Sequence, residues 1–363
     1  GDEEFVAGLA AKFGLPFFRA SAEVGVGNLE QNARRARLDF FRGLPAERIA
    51  LGHTLDDQAE TVLFRLLRGS GLSGLAGILP VTAEGLIRPM LEVRREDVRG
   101  YLRDRGIAWR EDSSNSSSKF ARNRIRHGLL PELAREWNPQ IAGALAHLAD
   151  VAYEEEVWWA GEMARLEIPD FTGGWVELPV RLLAELPRAF QRRVIRHLIH
   201  KVKGSLRGID YSHIEAVATL VVAAGGSARI ALPGLTVVRS FDWLLLRTAA
   251  PVPPEAIAVH RAGRYAWPTL NPLIQLEIEL EQQHPQACDT LELELRGWRA
   301  GDEYWPLGHQ RTTKLKDLFQ KARVPSWRRA SWPIVTGKGK ILWAKEFGPS
   351  SEDSGVAVQE IPV

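Results

Sequence analysis

Cysteine is almost absent: Cys288 is the only one among 363 residues. A single thiol excludes an internal disulfide, a Cys-x-x-Cys zinc site and a thiol-ligated iron–sulfur cluster within the chain, and it suits a reducing compartment. Long apolar runs are missing too. None approaches the ~20 residues that span a bilayer, so no membrane partner is expected. No charged, then apolar, then small-residue leader opens the sequence, and the expected location is cytoplasmic. Charge of one sign is also lacking overall: a formal net charge of +2 says nothing about a polyanionic partner, and only local clusters can. The length itself sets a prior of two or three domains with a sizeable core.

What is present first is alternation. Phe5, Leu9 and Phe13 have helical spacing closed by Gly14, Pro16–Val24 reads as a strand, and Asn28–Phe41 reads as a helix. That helix turns Leu29, Ala33, Ala36 and Phe40 inward and Arg34, Arg35 and Arg37 outward. Arg48–Gly52 reads as a short strand and Thr54–Arg68 as an amphipathic helix with Leu55, Ala59, Val62, Leu63 and Leu66 on its apolar side. Helix, strand, helix, strand, helix predicts an α/β fold, a parallel sheet covered by helices through right-handed crossovers. Because no strand precedes the first helix, the unit reads as cut in the middle, and an N-terminal piece is expected to be missing.

The junction of the second strand with its helix carries a polar cluster. His53, Asp57 and Glu60 are spaced i, i+4, i+7, which stacks them on one helical face with Asp56 beside it. Open α/β sheets place ligands at this kind of junction. Three carboxylates and an imidazole suit a metal ion or a cationic amine; dipole complementation by Asp56 and Asp57 is the bland alternative and leaves Glu60 and His53 unexplained. Gly69, Gly71, Gly74 and Gly77 follow, but no Lys-Ser/Thr comes after them, so they read as a tight connection rather than a phosphate cradle.

Further on, Leu86–Leu91 reads as an extended segment, Arg94–Arg105 as a helix, and Glu111–Ser118 as a polar turn capping a helix from about Lys119. Arg122 and Arg126 share a face of that helix. A solvated basic face is the usual meaning of such a run; with Glu132 and Glu136 arriving only later, a phosphate-bearing ligand competes. From Asn138 the character is mainly helical: Pro139–Met163, Leu182–Val202 and Tyr211–Ala224, then a meander over Ala228–Leu232, Thr236–Arg239 and Trp243–Arg247. The Leu182–Val202 helix carries Arg192, Arg193 and Arg196 with no acid between Arg188 and Arg207, a candidate nucleic-acid stripe. Ala249–Glu255 is the best linker. Alternating runs Leu273–Leu280 and Thr290–Leu295, a helix Lys314–Ala322 and a strand Lys340–Trp343 make a small α+β domain. Between Arg296 and Arg329 basic residues dominate, among them Lys314, Lys316 and Arg323, interleaved with Trp298, Trp305 and Trp327. Most of these are core or interface residues, and the mixture also suits single-stranded RNA.

His53-x-x-Asp56-Asp57-x-x-Glu60-Thr61 followed by Leu66-Leu67-Arg68-Gly69-Ser70-Gly71 resembles the second signature of the N-type ATP pyrophosphatases in the form found in the tRNA(Ile)-lysidine synthetase family. Arg88-Pro89-Met90-Leu91, Asp112–Asn115 leading to Arg122-Asn123-x-Ile125-Arg126-His127 with Leu130-Pro131, and Gly301-Asp302 with Lys314–Phe319 are similar to that family in the same order. The resemblance covers essentially the whole chain. It implies a Rossmann-like N-type pyrophosphatase domain at 1–137, incomplete at its first strand and phosphate loop. A mainly helical substrate domain at 138–250, a linker with strands at 251–285 and a C-terminal α+β tRNA-binding domain at 286–363 follow.

The implied reaction activates the first anticodon cytidine of an isoleucine tRNA (CAU anticodon) with ATP and Mg²⁺. Free L-lysine then displaces AMP to leave lysidine. Under this reading His53, Asp56, Asp57, Glu60 and Arg122 are catalytic. Asp57 and Glu60 hold lysine, His53, Arg122 and Arg126 meet ATP, and Asp56 is the Mg²⁺ candidate. Arg192, Arg193, Arg196, Lys314, Lys316 and Arg323 meet tRNA, and a homodimer is one reading of the assembly. Two departures stand out: the family's Ser-Gly-Gly-x-Asp-Ser loop does not occur, so this polypeptide alone is expected not to form the adenylate, and Thr313 stands where a lysine is frequent. The alternatives are a tRNA thiolase, disfavoured by the lone cysteine, a non-catalytic tRNA-binding remnant, and a carboxylate-metal hydrolase.

Overall fold

The computed structural model describes residues 2–22, 29–110, 121–168, 174–223, 226–250, 252–269, 274–280, 292–352 and 355–361. Contacts divide the chain into two compact units, 1–166 and 167–363. The Glu111–Ser118 turn and Cys288 lie outside the described residues.

In the first unit the parallel sheet is a single pair of two-residue strands, Ile49–Ala50 beside Leu86–Ile87, in register Ile49 with Leu86 and Ala50 with Ile87. Gly85 makes the tight entry into the second strand: its φ is +81°, and a Cβ there would sit 2.7 Å from the Glu47 carbonyl oxygen. Pro16–Ala22 is not a strand but exposed, irregular chain, since a strand holds only against a partner and none among the described residues pairs with it. The first helix, Asp2–Lys12, buries no side chain, and Leu9 and Phe13 face solvent.

The helix Leu55–Leu67 organises this unit. Its Ala59, Val62 and Leu63 pack with Ile125, Leu145 and Ala149 into one core, while Leu66 is exposed, contrary to its expected inward position. The 24-residue helix Ile141–Ala164 supplies Leu145 and Ala149, so it belongs to this unit rather than to the helical middle segment. The glycine-rich connection is a strap on the helix. The Gln58 side chain donates to the Ile78 carbonyl and accepts the Ile78 N–H (3.1 and 2.6 Å), and Arg65 donates to the carbonyls of Gly74 and Gly77. At Gly77, φ +62°, a Cβ would strike Gln58 at 2.4 Å, which is why the residue there is glycine.

The second unit begins with an antiparallel four-stranded sheet in the order Trp175–Pro179, Trp243–Arg247, Leu235–Ser240, Ser227–Leu232. Its Val176, Leu178, Val237, Leu244 and Leu246 are fully buried. The helices Arg188–Lys203 and Tyr211–Val222 close its core with Val194, Ile195, Leu198 and Val217. The expected Leu182–Val202 helix is two helices, Val180–Ala184 and Arg188–Lys203. Pro187 has no N–H to continue the ladder and biases Leu186 away from helical geometry, so the chain breaks there. Beyond Ala258, a five-stranded sheet that includes Glu294–Arg296, Ile334–Gly337 and Lys340–Ala344 packs with a three-stranded one around fully buried Trp267. A separate cluster gathers Leu315, Leu318 and Phe319 of the helix Leu315–Lys321 against Trp332.

Candidate active site

The helix Leu55–Leu67 starts where strand Ile49–Ala50 ends, and its first turn is closed by its own acid. The Asp57 carboxylate accepts both the Thr54 N–H (2.9 Å) and the Thr54 hydroxyl (2.8 Å). His53 therefore precedes the helix instead of stacking on its face, as the i, i+4, i+7 spacing had suggested. Burial, together with Arg88, Arg122 and Arg37, outweighs the pull of Asp57 and holds the His53 imidazole below its ordinary pKa, and its Nδ1 is buried with no hydrogen-bond partner.

Asp57 and Glu60 do share a face, and three arginines meet them there. Arg126 grips Glu60 with both Nε (2.6 Å to Oε1) and Nη2 (2.9 Å to Oε2), and reaches Asp57 at 3.0 Å. Arg95 donates to Asp57 (3.0 Å) and Glu60 (3.2 Å), and Arg122 to Glu60 (3.3 Å) and the Thr61 hydroxyl (3.1 Å). The Glu60 side chain is 1% exposed, that of Arg126 18% and that of Arg122 37%. Burial alone would raise the Asp57 pKa, but the Thr54 hydrogen bonds and the charges of Arg95 and Arg126 hold it below the usual carboxylate range. Burial likewise works against the Arg126 charge, and Glu60 and Asp57 more than restore it.

This arrangement gives both sets of residues partners that the sequence pattern did not show. Arg122 and Arg126 are not left with only Glu132 and Glu136 for company: their counter-charges are the carboxylates assigned to lysine. Those carboxylates, in turn, are not open to a free amine in this geometry. The helix is locally unusual at this point. After Ala121–Arg124 the chain makes a π-helical turn, Ile125–Leu129, then continues as Leu130–Glu136 straight through Pro131. Arg126 stands on that π turn, a backbone feature frequent at functional sites.

Asp56 accepts the Arg95 backbone N–H at 2.7 Å, so one of its oxygens is engaged. Among the described residues no three His, Cys, Asp or Glu side chains converge as a metal site. Arg95, the first residue of the helix Arg95–Asp104, joins this cluster although sequence reasoning did not single it out: with Glu96 and Asp97 in the same first turn, the helix start shows no excess of positive charge that would signal a distant acid.

The expected tRNA contacts differ in how far their charges are engaged within the protein. Arg192 and Arg188 both pair with Glu215 of the next helix, which their hydrogen bonds pull down to a pKa of about 2. The acid absent from the stripe in sequence is thus supplied in space. Arg193 is half-buried, and Arg196, Lys314 and Lys316 are exposed. Arg323 is committed to Asp242 through two bonds of 2.7 and 2.8 Å and lies over the Phe241 ring. Trp327 is buried, Trp305 partly exposed, and Trp298 packs on Phe319.

The strand-to-helix junction and its acid–arginine cluster lie in a stretch that comparison with known families assigns to the PP-loop class. Residues 1–133 match the PP-loop domain family, an ATP-binding domain. Residues 178–245 match the TilS substrate binding domain and 293–358 the TilS substrate C-terminal domain. The tRNA(Ile)-lysidine synthase of Solibacter usitatus is 45% identical over 385 residues, covering 99% of this chain and 87% of that protein. That of Geobacter sulfurreducens is 35% identical over 370 residues, covering 94% and 78%. A solved TilS C-terminal domain is 25% identical over 29% of this chain and 96% of its own, with a TM-score of 0.23. The chain belongs to the tRNA(Ile)-lysidine synthase family.

Proposed function

We propose that this protein makes lysidine at the first anticodon cytidine of tRNA(Ile) with a CAU anticodon, consuming ATP and free L-lysine. The cytidine O2 attacks the α-phosphate and pyrophosphate leaves; the lysine ε-amine then attacks C2 and AMP leaves. The observation that carries the reading is the cluster of two carboxylates, Asp57 and Glu60, with three guanidinium groups, Arg95, Arg122 and Arg126.

The cluster suits an exchange of partners. Arg122 is the most exposed of the cluster's guanidinium groups, and a phosphate oxygen is a better bidentate acceptor site than a shared carboxylate. Drawn toward phosphate, Arg122 and Arg126 release Asp57 and Glu60, and the released carboxylates hold the ammonium groups of lysine. Lysine binding then follows nucleotide binding by charge balance, since Arg95 alone leaves one of the two carboxylate charges uncompensated. His53, kept neutral by burial, accepts a proton from the attacking amine. Asp56 would hold Mg²⁺, which when bound would neutralise charge on the departing pyrophosphate. Arg196, Lys314 and Lys316 are the exposed cations offered to tRNA. No helix among the described residues is long and apolar enough to cross a membrane, and a cytoplasmic site of action is part of the proposal.

The test is incorporation of labelled lysine into tRNA(Ile) transcript by the full-length protein, with lysidine identified by mass spectrometry and ATP, lysine or tRNA omitted in turn. Asp57→Asn should raise the KM for lysine at least tenfold while leaving the tRNA Kd within about twofold. Unchanged lysine kinetics would remove Asp57 from the lysine site, and incorporation without ATP would remove the reaction class.

A further inference from the structure

The four-stranded sheet of the second unit has two different faces. One is the helix-covered core. On the other, Trp175 and Arg247 are direct cross-strand neighbours, and Glu177 two residues on accepts hydrogen bonds from Trp327 Nε1 and Arg328 Nε, both at 2.9 Å. The short helix Ser326–Arg329 is thereby stapled to this face. Beside the staple a cleft of about 460 Å³ remains, within the range of small-molecule sites. Its walls are Trp175, Trp327, Pro253, Pro254 and Pro268, and its charged lining residue is Arg247.

Arg247 is not balanced there. Its Nε is buried without a hydrogen-bond partner, a costly state for a guanidinium. Among the described residues no acid lines the cleft; the nearby Glu177 is already taken by Trp327 and Arg328. Burial and the neighbouring cation Arg229 both press on the Arg247 charge, and an entering anion would relieve both. Flat apolar walls, an aromatic face and one unspent cation together match the chemistry of a single unstacked nucleotide.

We propose that this cleft takes one unpaired nucleotide of the bound tRNA, its base against the tryptophan and proline walls and its phosphate on the Arg247 guanidinium. The inference rests on the tRNA-binding reading above and adds to it a specific docking point outside the acid–arginine cluster. Such a point fixes register: the surface cations attract any polyanion, while a base-sized slot accepts only a nucleotide free of pairing.

The test is equilibrium binding of tRNA(Ile) transcript to the full-length protein across a salt series, with ultraviolet crosslinking and peptide mass spectrometry. Arg247→Gln should weaken binding on the order of tenfold and lower the slope of log K against log salt by roughly 0.7–0.9, the value of one phosphate contact. Arg247→Lys should keep that slope. Nucleotide adducts should map to peptides containing Trp175 or Pro253. Val252→Glu places a negative charge at the rim on a side chain 88% exposed, so it reads the same contact without touching the core should the arginine variant fail to fold. Wild-type affinity and slope in both variants, or adducts confined to other peptides, would overturn the inference while leaving tRNA binding intact. A wild-type protein that does not bind the transcript would instead overturn the proposed function.

Discussion

Glu60→Gln is the sharpest perturbation of the acid–arginine cluster, because it keeps the shape and removes only the charge. Glu60 accepts four guanidinium contacts from three arginines, between 2.6 and 3.3 Å. Removing one partner of a buried ion pair costs roughly 3–5 kcal/mol, chiefly because the other charge is stranded. Here the stranded groups are between 18% and 37% exposed and Asp57 still faces two of them, so about 2–3 kcal/mol is the reasonable loss after that discount. For a unit of this size each kcal/mol lowers Tm by roughly 2–4 °C, so calorimetry should show the transition of the first unit fall by about 4–12 °C. Arg126→Met in the same background should restore part of the loss, since removing both partners leaves less charge unpaired than removing one. A double-mutant cycle should then give a coupling of about 1–3 kcal/mol. A fall below about 1 °C with negligible coupling would show that the carboxylate and the arginines do not depend on each other, and the exchange of partners proposed for catalysis would lose its foundation.

The pH dependence of the same cluster gives two more checks. Asp57 has a lowered folded pKa, so its contribution to stability is fully present above the unfolded value of about 3.9 and is lost as pH falls through the lowered folded value. In Asp57→Asn, urea midpoints should therefore decline less steeply below about pH 4 than in the parent; equal slopes would refute the sign. His53 has a lowered folded pKa and should titrate by NMR with a midpoint below about 6.5, remaining neutral at pH 7. A midpoint above that value would make it a cation beside Arg122 and end its role as proton acceptor.

Much of this protein was legible in one dimension. The spacing of Ala59, Val62 and Leu63 determined the buried stripe of the central helix, and with it that Asp57 and Glu60 share another, polar side, because helical periodicity is a local property. The ordered motifs from His53 to Phe319 carried the family. What the tertiary structure alone decided was which charges meet. Arg122 and Arg126 reach Glu60 from 62 and 66 positions away, and Arg95 from 35. Glu215 arrives at Arg188 and Arg192 from the following helix, and Arg323 spends itself on Asp242, 81 positions distant. Periodicity tells which face of a helix is polar; it carries no information about the sign of the face packed against it, since that depends on long-range contacts between separately patterned segments. The His53–Glu60 stretch was thus readable as a polar cluster, but whether its carboxylates stood open or stood guarded by arginines was settled only when the chain folded.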